Sequence, residues 1–63
     1  MQLSLKALRV NAGLTQQDVA DRLGVSRQTV LNWEKESWKP DEVVIYALAY
    51  LYKTSIDNIR IPS

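Results

Sequence analysis

The sequence predicts an all-α fold, a compact bundle of five helices, and three observations carry that prediction. Apolar residues recur at helical spacing in successive short runs; Ser4, Thr15, Ser26 and Asp41 stand as N-cap residues before them; Gly13 and Gly24 close two of them. Residues 1–63 are expected to form a single domain, because a chain of this size buries only about 60% of its unfolded surface and has no room for a second, ligand-sensing unit.

Composition narrows the chemistry. Neither cysteine nor histidine occurs, which removes disulfides, thiolate and imidazole metal ligands and the usual general base. No catalytic residue, metal site or cofactor is expected, and the chain is not expected to be an enzyme. No apolar run approaches the roughly 20 residues of a membrane span, and the N-terminal MQLSLKALRV lacks the apolar core of a signal peptide, so a cytoplasmic protein is expected. Eight basic and seven acidic residues leave a net charge of only +1, low for a protein that binds nucleic acid. The distribution is more telling than the sum. Asp18, Asp21, Asp41, Glu42 and Asp57 fall outside the stretch that carries Arg27, Lys35 and Lys39, while Glu34 and Glu36 are the exceptions.

Taken in order, residues 4–12 read as a first helix with Ser4 as its cap, Leu5 and Leu8 as its apolar stripe and Gly13 after its end. Leu14 extends the core into Thr15. The second helix, 16–23, carries Val19, Ala20 and Leu23 on one side and Gln17, Asp18, Asp21 and Arg22 on the other; Thr15 caps it, Asp18 follows three residues on, and Gly24 ends it at positive φ. One residue later Ser26 caps a third helix with the apolar pair Val30 and Trp33, of which Trp33 is assigned to the core. A fourth, about 42–52, begins after Lys39, Pro40 and Asp41, where the residue before proline leaves the α region and Asp41 can cap. Ile45, Leu48, Ala49 and Tyr52 form its core stripe, and Val43, Tyr46, Ala47, Tyr50 and Leu51 are left needing a second surface, the pattern of a partner contact. Thr54 and Ser55 start a last short helix that holds Ile56 and Ile59. Trp38, in the linker, packs against the fourth helix or is exposed toward a partner; spacing alone leaves both open.

The second and third helices, 16–35 with their turn, form a helix-turn-helix. A link this short makes the helices cross at about 90–120°, and Ala20 is small enough to allow the approach. Arg27, Gln28, Thr29, Asn32 and Lys35 lie off the Val30/Trp33 stripe, which puts donor-rich side chains at the N-terminal end of the third helix, the end that enters a major groove in such motifs.

Gln16, Ala20, Gly24, Val30, Trp33 and Glu34 match, place by place, the pattern of the phage repressor and Cro type (Xre-like) helix-turn-helix domains, a lambda-repressor-like fold, and Leu5, Leu8, Arg9, Gly13, Leu14, Pro40, Leu48, Ala49 and Ile59 match on the flanks. The chain thus resembles that family over residues 4–61. The resemblance implies a sequence-specific regulator of transcription, a repressor or Cro-like protein, bound to operator DNA as a homodimer. It implies that Arg27, Gln28, Thr29 and Asn32 face base edges, that Gln16, Gln17, Ser26, Lys35 and Lys39 meet phosphates, and that Arg9 and Glu34 form an ion pair. The dimer contacts expected from the apolar excess of the fourth helix and tail are Tyr46, Tyr50 and Ile61. Glu36 and Ser37 depart from the family's glycine and basic residue, and Lys53 stands where it often has glycine. The competing reading is a protein-interaction module of the same fold, an antitoxin, adaptor or anti-repressor, for which the apolar fourth helix and low net charge argue.

Overall fold

A helix start leaves amide protons without partners, and in this chain hydroxyls accept them. Ser4 Oγ accepts from the Ala7 amide at 3.1 Å, Thr15 Oγ1 from Asp18 at 3.0 Å and Ser26 Oγ from Thr29 at 3.1 Å. The computed structural model describes residues 2–35, 37–39 and 41–60; within them lie α1 (Leu5–Asn11), α2 (Gln16–Leu23), α3 (Arg27–Trp33) and α4 (Glu42–Leu51). At α2 the Asp18 carboxylate also accepts from the Thr15 amide at 2.8 Å, completing a capping box. Asp41 precedes α4 but its side chain makes no capping hydrogen bond, contrary to the expectation for it.

Three of the four helices stop by one device. Gly13, Gly24 and Lys53 have φ of 74°, 69° and 54°, and the amide one residue beyond each reaches back five residues, Leu14 to the Arg9 carbonyl, Val25 to Ala20 and Thr54 to Ala49, at 3.2, 3.0 and 3.0 Å. This is the left-handed C-terminal turn that satisfies otherwise orphaned carbonyls. Glycine suits it at no steric cost; Lys53 adopts it against its Cβ.

The expected fifth α-helix is a correction: the chain after α4 makes only a 3-10 turn, Ile56–Asn58, capped by Ser55. The physical reason is the N-terminus. Leu3 donates to the Asn58 carbonyl at 2.8 Å and accepts from the Arg60 amide at 2.8 Å, an isolated parallel bridge between Leu3 and Ile59. Continuing the helix would forfeit both bonds and lift Ile59, 2% exposed, out of the core. That core consists of Leu5, Leu8, Val19, Ala20, Val30, Ile45, Leu48, Ala49, Tyr52 and Ile59, with Trp33, Trp38, Leu14, Leu23 and Val25 among the half-buried residues packed against it. Among the described residues no helix is long and apolar enough to cross a membrane.

Candidate nucleic-acid interface

The candidate reading surface is α3, and what holds it is a single carboxylate. Glu34, the residue directly after α3, receives Arg9 Nε from α1 on Oε2 at 2.7 Å, and on Oε1 both Arg9 Nη2 at 3.4 Å and Gln16 Nε2 from α2 at 3.1 Å. The remaining Arg9 arm donates to the Leu14 carbonyl at 2.9 Å. With side-chain exposures of 10% for Arg9 and 7% for Glu34, the pair is desolvated, and its hydrogen bonds are what make that burial tolerable. Tyr52 lies beside it: burial, and secondarily the negative charge of Glu34, push its hydroxyl up to about 12. One acidic side chain thereby ties the C-terminal end of α3 to both preceding helices.

The face of α3 turned away from the core is open. Arg27, Gln28 and Asn32 are exposed, and Gln28 Nε2 donates to Asn32 Oδ1 at 3.2 Å, so two candidate base-reading amides are already aligned one helical turn apart. Thr29 is half-buried and its hydroxyl lies 2.9 Å from Ser26 Oγ, which makes it the least accessible of the four base-contact candidates. Beyond α3, Lys35 and Lys39 are both exposed.

At the start of α2, Gln16 is turned to Glu34 and Gln17 donates to Asp21 Oδ1 at 2.8 Å. Each amide spends one N–H on the protein, and a primary amide has two. The Gln16–Glu34 bond was not expected from the sequence; residues 18 apart in the chain show it only through the crossing of α2 and α3. Asp18 is held below its ordinary value first by the Thr15 amide bond and then by the Thr15 hydroxyl. Among the described residues no group of acidic side chains is placed to hold a metal ion.

Two aromatic assignments are now clear. Trp33 is half-buried against the core, and Trp38 packs on it with ring centroids 6.1 Å apart at 39°. Of the dimer candidates, Tyr46 and Tyr50 are 58% and 88% exposed, with Val43 beside them at 75%; Ile61 lies outside the described residues.

A helix-turn-helix family model (HTH_3) matches residues 5–59, from the start of α1 to Ile59. An uncharacterized HTH-type transcriptional regulator of Methanocaldococcus jannaschii is 38% identical over 61 residues, 97% of this chain and 92% of that protein. Another, from Archaeoglobus fulgidus, is 31% identical over 97% of this chain and 86% of its own length. The HTH-type transcriptional regulator ImmR of Bacillus subtilis is 34% identical over 87% of this chain, which corresponds to 43% of ImmR. No solved structure matches the chain significantly. With the family match spanning all four α-helices, including the consecutive, packed pair α2 and α3, the chain belongs to the Xre-like helix-turn-helix family.

Proposed function

We propose that the protein is a sequence-specific DNA-binding regulator of transcription that occupies operator DNA as a homodimer, with α3 in the major groove and no cofactor. The observation that carries the reading is the asymmetry of α3: its buried side is locked by the Arg9–Glu34 pair at its C-terminal end, while Arg27 and Gln28 in its first turn and Asn32, one turn on from Gln28, are exposed. An anchored helix with exposed polar side chains suits direct readout, in which Arg pairs with guanine O6/N7 and Gln or Asn with adenine N6/N7. The second N–H of Gln16 and of Gln17, the Ser26 hydroxyl, Lys35 and Lys39 supply the phosphate contacts, and Thr29 stands at the edge of the base-reading set. The names of the relatives, transcriptional regulators, support the same class. Regulation then follows from occupancy: a bound dimer excludes other proteins from the promoter.

Selection of bound sequences from a random DNA pool, followed by titrations on a panel of operator variants, tests this. Gln28→Ala or Asn32→Ala is expected to cost about 1–3 kcal/mol on the selected site and to relax preference at particular base pairs. Lys39→Ala is expected to weaken all sequences alike. If Gln28→Ala were uniform across the panel, α3 would touch backbone only. The exposed stripe of Val43, Tyr46 and Tyr50 also suits a protein-interaction module; absence of any salt-dependent DNA binding would decide for that reading, since each phosphate contact imposes a slope of about −0.9 in log K against log salt.

A further inference from the structure

We propose that Trp38 is a positioning residue for DNA binding: by packing on Trp33 it holds Lys39, together with Lys35, beside the C-terminal end of α3 as a preformed phosphate-binding edge. This rests on the DNA-binding reading above and adds a role for a side chain that reading leaves unused.

Lysines in a mobile segment between α3 and α4 would have to be ordered on binding, and where that lost freedom outweighs the exposed phosphate contact the contact is not made and its counterions are not released, which lowers both affinity and salt slope. Two residues of this linker, Lys35 and Trp38, have anchoring contacts. The Trp38 ring lies against Trp33, the last residue of α3, at 6.1 Å between centroids. Its main-chain N–H donates to the Lys35 carbonyl at 3.1 Å, and the Lys35 amide donates in turn to the Asn32 carbonyl at 3.2 Å. Lys35 is thus fixed from both sides, and Lys39 follows the anchored ring directly. Both lysines are exposed. The neighbouring Glu34 does not neutralise them, because its two oxygens are already occupied by Arg9 and Gln16. A tryptophan serving only as apolar filler would leave these charges indifferent to its removal.

The test measures binding of the full chain to a double-stranded DNA of random sequence across a salt series, with melting curves to confirm that each variant is folded. In the wild-type background, Lys39→Ala is expected to make the log–log slope shallower by about one unit. Trp38→Ala is expected to do the same and to weaken low-salt binding by about three- to tenfold, while Trp38→Phe keeps the wild-type slope. Adding Lys39→Ala to Trp38→Ala should change the slope little further. A folded Trp38→Ala variant with the wild-type slope, or a double variant whose loss is the sum of the two, would overturn the inference while leaving the DNA reading intact; a wild type without salt-dependent binding would overturn both. Should Trp38→Ala fail to fold, backbone 15N relaxation on the free wild type decides: order parameters for Lys35, Trp38 and Lys39 near the roughly 0.85 of rigid backbone support the preformed edge, and values below about 0.6 refute it.

Discussion

Glu34 is the residue on which the geometry of α3 depends most, and its energetics are unusual for a surface motif. A desolvated ion pair contributes little net stability compared with an apolar isostere, but breaking it from one side strands a buried charge, at about 3–5 kcal/mol. Arg9→Met and Glu34→Gln should therefore each destabilise strongly, and the double variant should be less destabilised than the sum of the two. Strict additivity in urea unfolding would show that the pair is not coupled in solution. Lys53 gives a second residue-scale expectation. Its φ of 54° lies in the left-handed region, where a Cβ costs roughly 1–2 kcal/mol. In a helix interior alanine outranks glycine; at this position the order should invert, with Lys53→Gly more stable than Lys53→Ala by about 1 kcal/mol. Alanine and glycine are the fair comparison because both remove the lysine charge, which itself favours a helix C-terminus. Equal melting temperatures, or alanine the higher, would contradict the turn.

Among the elements, α2 is the most completely specified by its own residues: capping box, apolar stripe and glycine stop all lie within ten positions, 15–24. The cap also carries a pH signature. Because the Thr15 amide and hydroxyl depress the Asp18 pKa, this group contributes stability that is present above the unfolded value of about 3.9 and is lost as pH falls through the depressed folded value. The difference in melting temperature between wild type and Asp18→Asn should accordingly be constant above about pH 5 and narrow below about pH 4. A gap that stayed unchanged to pH 2 would mean that the capping carboxylate is not engaged. α4 is legible in a different way: its core stripe was evident from periodicity, and its excess of apolar residues marked the outer face without naming what covers it.

At the scale of the molecule, whose principal extents are 27 × 23 × 18 Å, one α3 spans only a fraction of an operator. A two-fold pair would place two such helices about 34 Å apart, one turn of DNA. Val43, Tyr46 and Tyr50 follow one another at i, i+3 and i+7 and are all exposed, which is the stripe a second copy would cover. Replacing Tyr46 and Tyr50 by serine should shift sedimentation toward the monomer while leaving the helical signal intact, because neither ring supports the core. A wild type that sediments as a monomer at high concentration, free and on a palindromic site, would exclude the dimer. The small net charge of +1 leaves DNA binding to the local distribution: Arg27, Lys35 and Lys39 lie on α3 and its following linker, where Glu34 is paired with Arg9 and Glu36 is the remaining acid, whereas Asp18 and Asp21 lie on α2 and are partly occupied by the cap and by Gln17.

Local features were legible in the residues alone: where α1 to α4 begin and end to within a residue or so, the turn at Gly24, the core stripes of α2 and α4, and the polar first turn of α3. Caps, glycine stops and helical periodicity act over about four residues, so one chain suffices to read them. The pairing of Arg9 with Glu34 was expected through family resemblance rather than spacing. That Gln16 joins that pair, that Trp38 seats on Trp33, and that Ile59 leaves the helix to bridge Leu3 became visible in the folded chain. These contacts join residues brought together by the crossing of helices and the return of the C-terminal segment to the N-terminus. Propensity is silent about such contacts, because the free energy that selects them comes from burying surfaces and satisfying hydrogen bonds that do not exist until the helices have met.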